Sequence, residues 1–204
     1  MTSLLGSLNE TTRRQFLDDL NYLNMNEIKT FCDKHSIPYK IWIREKDGKL
    51  RRTPDQDRKG VVLERIRYYF STGRVARATV FSMSVVNFEQ PPSKVKPSDK
   101  LYYGQYDKNN RGMIDLLKRL TNGRFKNGAI ARIVAREFWS KGKAPTYREF
   151  AMTWLEATDN HKRPNPEWAF LSDLAEKNDV SGWKRMRIEK ARGVIRILAQ
   201  LDSK

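Results

Sequence analysis

The chain has 204 residues, 39% of them hydrophobic, with five Trp, and a formal charge of +16. Enough apolar material is present to build a core, which argues against disorder along the whole length. The charge favours polyanionic partners, nucleic acid ahead of an anionic membrane surface. No stretch nears the roughly 18 consecutive apolar residues of a transmembrane helix. The start "MTSLLGSLNETTRRQF" has no basic stretch before its short apolar run, so neither a membrane span nor a secretory signal is expected. The single cysteine, Cys32, permits no intrachain disulfide and fits a reducing compartment. With His35 and His161 as the two histidines, CxxC and HxxxH spacings are both missing, and no zinc site or other cofactor is expected.

The positive charge is clustered. Residues 40–77 hold 12 Lys and Arg against 5 Asp and Glu, residues 108–143 hold 10 against 2, and residues 184–196 hold 6 against 1. Charge that serves solubility alone tends to mix its signs. Clustering points to a binding face, with a solvated basic face as the alternative.

In "RRQFLDDLNYL" the spacing of Phe16, Leu20 and Leu23 predicts a helix. "NMNEIKTFCDKH" predicts a second, with Asn24 as its N-cap and Glu27 at the capping-box position. Ile28, Phe31 and Cys32 form its apolar face, and it should stop before Pro38, which disfavours a helical Ile37. Next, Asp47-Gly48 between "KIWIREK" and "KLRRT" predicts a short basic hairpin. "GVVLERIRYYF" returns to helix, with Val62, Ile66, Tyr69 and Phe70 on one stripe and Gly73 as a stop.

The pair "MNEIKTFCDKHSIPY" and "KGVVLERIRYYF" resembles the two helices of a SAP motif. Ile28, Phe31, Ile37 and Pro38 match its first part; Lys59, Val62, Arg65 and Ile66 match its second. The resemblance covers residues 24–70 and implies a small helical unit that binds double-stranded DNA through the loop before, and the start of, the second helix. Lys40, Arg44, Lys49, Arg51, Arg52, Arg58, Lys59, Arg65 and Arg67 are its candidate DNA contacts. One departure is large. The family joins its helices by about five residues, with a Gly two before the Lys; here the connection carries the hairpin, and Asp57 takes the Gly position. The layout is similar to bacterial proteins that join a SAP-like unit to a helical C-terminal domain, a group that supplies no activity to carry over.

"TPDQDRK" also holds the letters of a PD-(D/E)xK nuclease. That chemistry needs acidic groups on separate strands converging on a divalent cation. Here Asp55 and Asp57 lie two apart before a helix, and turn chemistry explains them better. No Gly-rich phosphate loop, GxSxG or Ser/His/Asp set is present, so an enzyme is not expected.

"ATVFSMSVVNF" reads as a strand or an extended docking segment, and "PPSKVKP" as a linker, which places a domain boundary near residue 95. Beyond it, helices are expected in "GMIDLLKRL", in "NGAIARIVAREFWSKGK" with Ile130, Ile133, Val134 and Phe138 on one stripe, and in "TYREFAMTWLEA" capped by Thr146 and Glu149. Two more follow, in "NPEWAFLSDLAEK" and in "WKRMRIEKARGVIRILAQL". In the last, Arg185, Arg192 and Arg196 align opposite the apolar residues. Residues 127–156 admit a second helix-turn-helix, and Arg119, Arg124, Lys126, Arg132, Arg136, Lys141 and Lys143 form a second candidate phosphate patch. Tyr102, Tyr103 and Tyr106 read as core residues, with base stacking as the alternative.

The expectation is a mainly α protein: a SAP-like helical unit with an inserted β-hairpin over 1–77, an extended segment and linker over 78–100, and a basic helical domain over 101–204. It is read as a non-enzymatic DNA-binding protein that favours duplexes, with a cytoplasmic location open to nucleoid association. RNA binding and a protein-interaction adaptor docking through residues 78–88 are the alternatives.

Overall fold

The computed structural model describes residues 4–160 and 180–202. The expected helix in "NPEWAFLSDLAEK" and His161 lie outside the described residues. The rest is mainly helical, with one three-stranded sheet. None of the described helices is long and apolar enough to cross a membrane.

The chain forms two compact units, and they are interleaved. The first takes residues 1–39, 56–78 and 162–204; the second takes 40–55 and 79–161. This corrects the linear division at residues 77 and 101.

The first unit is built from α1 (Glu10–Asp19), α2 (Met25–Lys34), α3 (Lys59–Thr72) and α7 (Val180–Asp202). Asn24 caps α2 as its sequence predicts. Its Oδ1 accepts from the Asn26 and Glu27 amides, and Glu27 Oε2 accepts from the Asn24 amide at 2.7 Å. Phe16, Leu20 and Leu23 meet Ile28, Phe31 and Cys32 of α2 and Val62, Leu63, Ile66 and Phe70 of α3 in one core. Ala191, Val194 and Leu198 of α7 complete that core. Two ion pairs fix α7 further, Arg187 to Glu27 and Lys190 to Asp19, and Arg187 also donates to the Tyr22 carbonyl. The C-terminal helix therefore belongs with the N-terminal ones. A helix spaced for burial reveals that it covers something, and only the fold reveals what.

Burial pushes the Cys32 thiol up to about 12. The expected result is that an alkylating reagent at pH 8 leaves Cys32 unmodified in the native protein and labels it fully in denaturant, read by mass spectrometry.

The second unit begins with the hairpin. Strand β1 (Lys40–Arg44) turns into β2 (Leu50–Gln56) through Asp47-Gly48, where Gly48 takes φ 85° and donates its amide to the Glu45 carbonyl. Strand β3 (Val80–Ser82) pairs parallel to β1, with Ile43 opposite Phe81, so the sheet order is β2-β1-β3. Helices α4 (Arg111–Leu120), α5 (Ala129–Ser140) and α6 (Tyr147–Asp159) surround the core formed with Ile41, Ile43, Phe81 and Val85.

Three expectations change here. The segment 78–88 is not a free docking strand, because Phe81, Val85 and Val86 are buried in their own unit. "PPSKVKP" is not an interdomain linker: the Arg148 amide donates to the Pro97 carbonyl at 3.0 Å, and Val95 packs on the core. On α5 the buried residues are Ala131, Val134, Ala135 and Trp139, a stripe rotated from the expected one. The Trp139 indole N–H reaches the Leu101 carbonyl at 3.0 Å inside the core.

The capping box of α6 forms as predicted, with Thr146 and Glu149 exchanging bonds. Lys143 and the Thr146 amide hold the Glu149 carboxyl down to about 2 from a usual 4.5. Because the folded value is the lower one, the contribution is complete above about pH 4.5 and is lost as pH falls towards 2. Glu149→Gln with Thr146→Ala is expected to cost about 1 kcal/mol at pH 7. The same pair of substitutions should cost less at pH 3, measured by urea unfolding.

Candidate nucleic-acid interface

The fold splits the first basic block of the sequence, 40–77, between the two units and leaves the second, 108–143, in one. Lys40, Arg44, Lys49, Arg51 and Arg52 belong to the second unit; Arg58, Lys59, Arg65 and Arg67 belong to the first.

In the first unit these cations serve the fold. Arg65 is buried and donates at 2.7 Å both to Asp57 Oδ2 and to the Pro38 carbonyl. That removes it from the set of surface contacts: only 9% of its side chain and 6% of that of Asp57 is exposed. Asp57 is likewise paired with Arg65. Lys59 donates to the Asn21 carbonyl. Arg67 reaches the Leu17 carbonyl at 3.3 Å and Asn21 Oδ1 at 3.4 Å. Arg58 is half-buried as the N-cap of α3.

The hairpin leaves and re-enters this unit at one point, because the Asp57 amide donates to the Tyr39 carbonyl at 2.9 Å. Its insertion therefore leaves α2 and α3 packed against each other as they would be with a short connection.

In the second unit most of these cations are exposed, while Lys40 is half-buried. Arg44, Lys49, Arg51 and Arg52 are exposed on the hairpin. Two are paired locally, Lys49 with Asp47 at 3.1 Å and Arg51 with Glu45 at 3.0 Å. Strand β2 is the sheet edge, and its arginines with Pro54 also blunt that edge against unwanted strand pairing. Around α4 and α5, Arg119, Arg124, Lys126, Arg132, Lys141 and Lys143 are exposed and Arg136 is half-buried. Arg124 pairs with Asp159, and Lys143 with Glu149 at 2.8 Å. Arg44, Arg52, Arg119, Lys126, Arg132 and Lys141 join no ion pair among the described residues. Exposed cations of this kind suit phosphate. The exposed face of α6, by contrast, carries Arg148 against Glu149, Glu156 and Asp159. Those carboxylates make the α6 face less suited to phosphate than the α5 side.

Between the hairpin and α5 lies a cleft of about 390 Å³, lined by Pro54, Asp55, Phe88, Tyr103, Tyr106, Arg132, Arg136 and Trp139, with Ala135 and Gly104. Two of the tyrosines that the sequence marked as core, Tyr103 and Tyr106, line it. The Tyr103 hydroxyl donates to Asp55 Oδ2 at 2.7 Å, and Arg136 stands 3.8 Å from Asp55 Oδ1. Burial first, and then that bond to Asp55, push the Tyr103 hydroxyl up to about 12, so it remains a donor. Gly104 adopts φ 97°, and a Cβ there would sit 2.4 Å from the Asn87 carbonyl oxygen, so only glycine fits this wall. The sequence marked the tyrosines, Arg132 and Arg136 separately, but offered no signal that joins them to Asp55 and Phe88, which lie far from them along the chain.

No known protein family, no curated protein and no solved structure matches the chain.

Proposed function

We propose that the protein is a non-enzymatic nucleic-acid-binding protein that grips phosphates and favours double-stranded DNA. The observation that carries the reading is the set Arg44, Arg52, Arg119, Lys126, Arg132 and Lys141, exposed on one compact unit and joined to no carboxylate among the described residues. That unit spans 20 Lys and Arg against 11 Asp and Glu. The packed pair α2 and α3, with the hairpin inserted at a single point, supports a SAP-like reading of the other unit. Arg185, Arg192 and Arg196, exposed along α7, add to its basic surface. Phosphate contacts fix a protein on a duplex with little sequence preference.

The test is fluorescence anisotropy with matched duplex DNA, single-stranded DNA and RNA over a salt series. Duplex DNA is expected to bind tightest, and log K to fall steeply with log salt, by about 0.9 per phosphate neutralised. A flat salt response overturns the phosphate grip; tighter binding to RNA overturns the preference for DNA.

A further inference from the structure

The cleft of the second unit has a composition that a plain phosphate site would not have. Its aromatic groups have spent their polar atoms inside the protein. The Tyr103 hydroxyl goes to Asp55, the Trp139 N–H to the Leu101 carbonyl, and the Tyr106 hydroxyl to Asn127 Oδ1. The Tyr103 and Trp139 rings are themselves buried, 8% and 4% exposed, so they wall the cleft and do not stand open in it. Phe88 adds a ring that is 55% exposed at the rim, with the Arg51 guanidinium 5.0 Å above it.

The charges narrow the occupant. Arg132 and Arg136 favour an anion, but a bare phosphate would also meet the Asp55 carboxylate, whose side chain is 43% exposed. A basic peptide would suit Asp55 and be repelled by the two arginines. A nucleotide satisfies all of them: a flat ring for the aromatics, N–H donors on the base for the carboxylate, and a phosphate for the arginines. Asp55 keeps acceptor capacity for such a donor. Tyr103 occupies Oδ2, while Arg136 at 3.8 Å from Oδ1 is beyond hydrogen-bond distance. The volume also fits, since small-molecule sites begin near roughly 300 Å³.

We propose that this cleft receives one unpaired nucleotide of a bound strand, its base against the exposed Phe88 ring with an N–H donor on Asp55, and its phosphate at Arg132 and Arg136. A base stacked in a duplex cannot present its face and its pairing edge in this way, so within duplex DNA the site selects gaps and overhangs. The inference rests on the nucleic-acid reading and adds to it a preference for interrupted duplexes.

The experiment compares a matched duplex with the same duplex lacking one nucleotide opposite a 2-aminopurine, by anisotropy and by 2-aminopurine fluorescence. The gapped duplex is expected to bind about tenfold tighter, within the range that stacking on an aromatic supplies. The 2-aminopurine signal should change on binding. Phe88→Ala, at an exposed site, should bring the ratio within about twofold of one, and Asp55→Asn should lower it. Equal binding of both duplexes by the wild type, or a ratio unchanged in both variants, overturns the inference and leaves the broader reading standing. Loss of the gapped complex to free adenosine monophosphate at equal concentration would overturn the requirement for a strand. Failure to bind any nucleic acid at low salt overturns both.

Discussion

Asp57→Ala is expected to lower the stability of the first unit by about 3–5 kcal/mol, the cost of leaving a buried guanidinium without its carboxylate. Arg65 has no route to solvent that keeps its place on α3: its guanidinium lies between Asp57 Oδ2 and the Pro38 carbonyl, each at 2.7 Å. These groups stand where the chain leaves for the hairpin and returns. The substitution therefore strips both the charge partner and the clamp that closes the insertion, next to the Tyr39–Asp57 backbone bond. Urea unfolding gives the size of the loss, and amide hydrogen exchange along α2 and α3 gives its place. Arg52→Ala, on the exposed edge strand, is the control and should stay within about 0.5 kcal/mol. A loss below about 1 kcal/mol for Asp57→Ala would mean that Arg65 finds another partner. If Arg65 were a DNA contact, Arg65→Ala would instead weaken binding and leave stability intact.

The second large effect concerns binding. Arg44→Glu, Arg52→Glu and Arg132→Glu together should make the plot of log K against log salt shallower by about 3, near 0.9 for each phosphate that is no longer neutralised. All three residues are exposed and belong to the second unit, so its stability should hold. Lys59 is left out on purpose: its ammonium holds the Asn21 carbonyl, and reversing it would damage the fold before it reported on DNA. An unchanged slope in the triple variant, with wild-type affinity, would show that the hairpin and α5 face away from the nucleic acid.

Local chemistry was readable from the sequence wherever the signal is local. The caps at Asn24 and Thr146, the turn at Asp47-Gly48 and the stop at Gly73 depend on residues within four positions of each other, and all four form. Partnership over long distances was not readable. Arg65 looks like its neighbours Arg58 and Arg67 until Asp57 and Pro38 are folded against it. "PPSKVKP" has the composition of a linker, yet Pro97 takes the Arg148 amide from across α6. The stripe of Ala191, Val194 and Leu198 announces burial without naming the helices it covers. The cleft was hidden for the same reason: its residues come from β2, the segment after β3, the Tyr103 loop and α5.

The interleaving of the units also sets an order in time. During synthesis, α1, α2 and α3 emerge first, but the residues that close their core, Ala191, Val194 and Leu198, emerge only after the entire second unit. At about 5–20 residues per second, the first unit waits on the order of ten seconds with Phe16, Leu20 and Ile28 incompletely covered. The second unit has all its parts by residue 161 and is free to fold during that interval. The second unit can thus be complete before the first, and chains halted before α7 are delivered with an open apolar face that chaperones and proteases recognise.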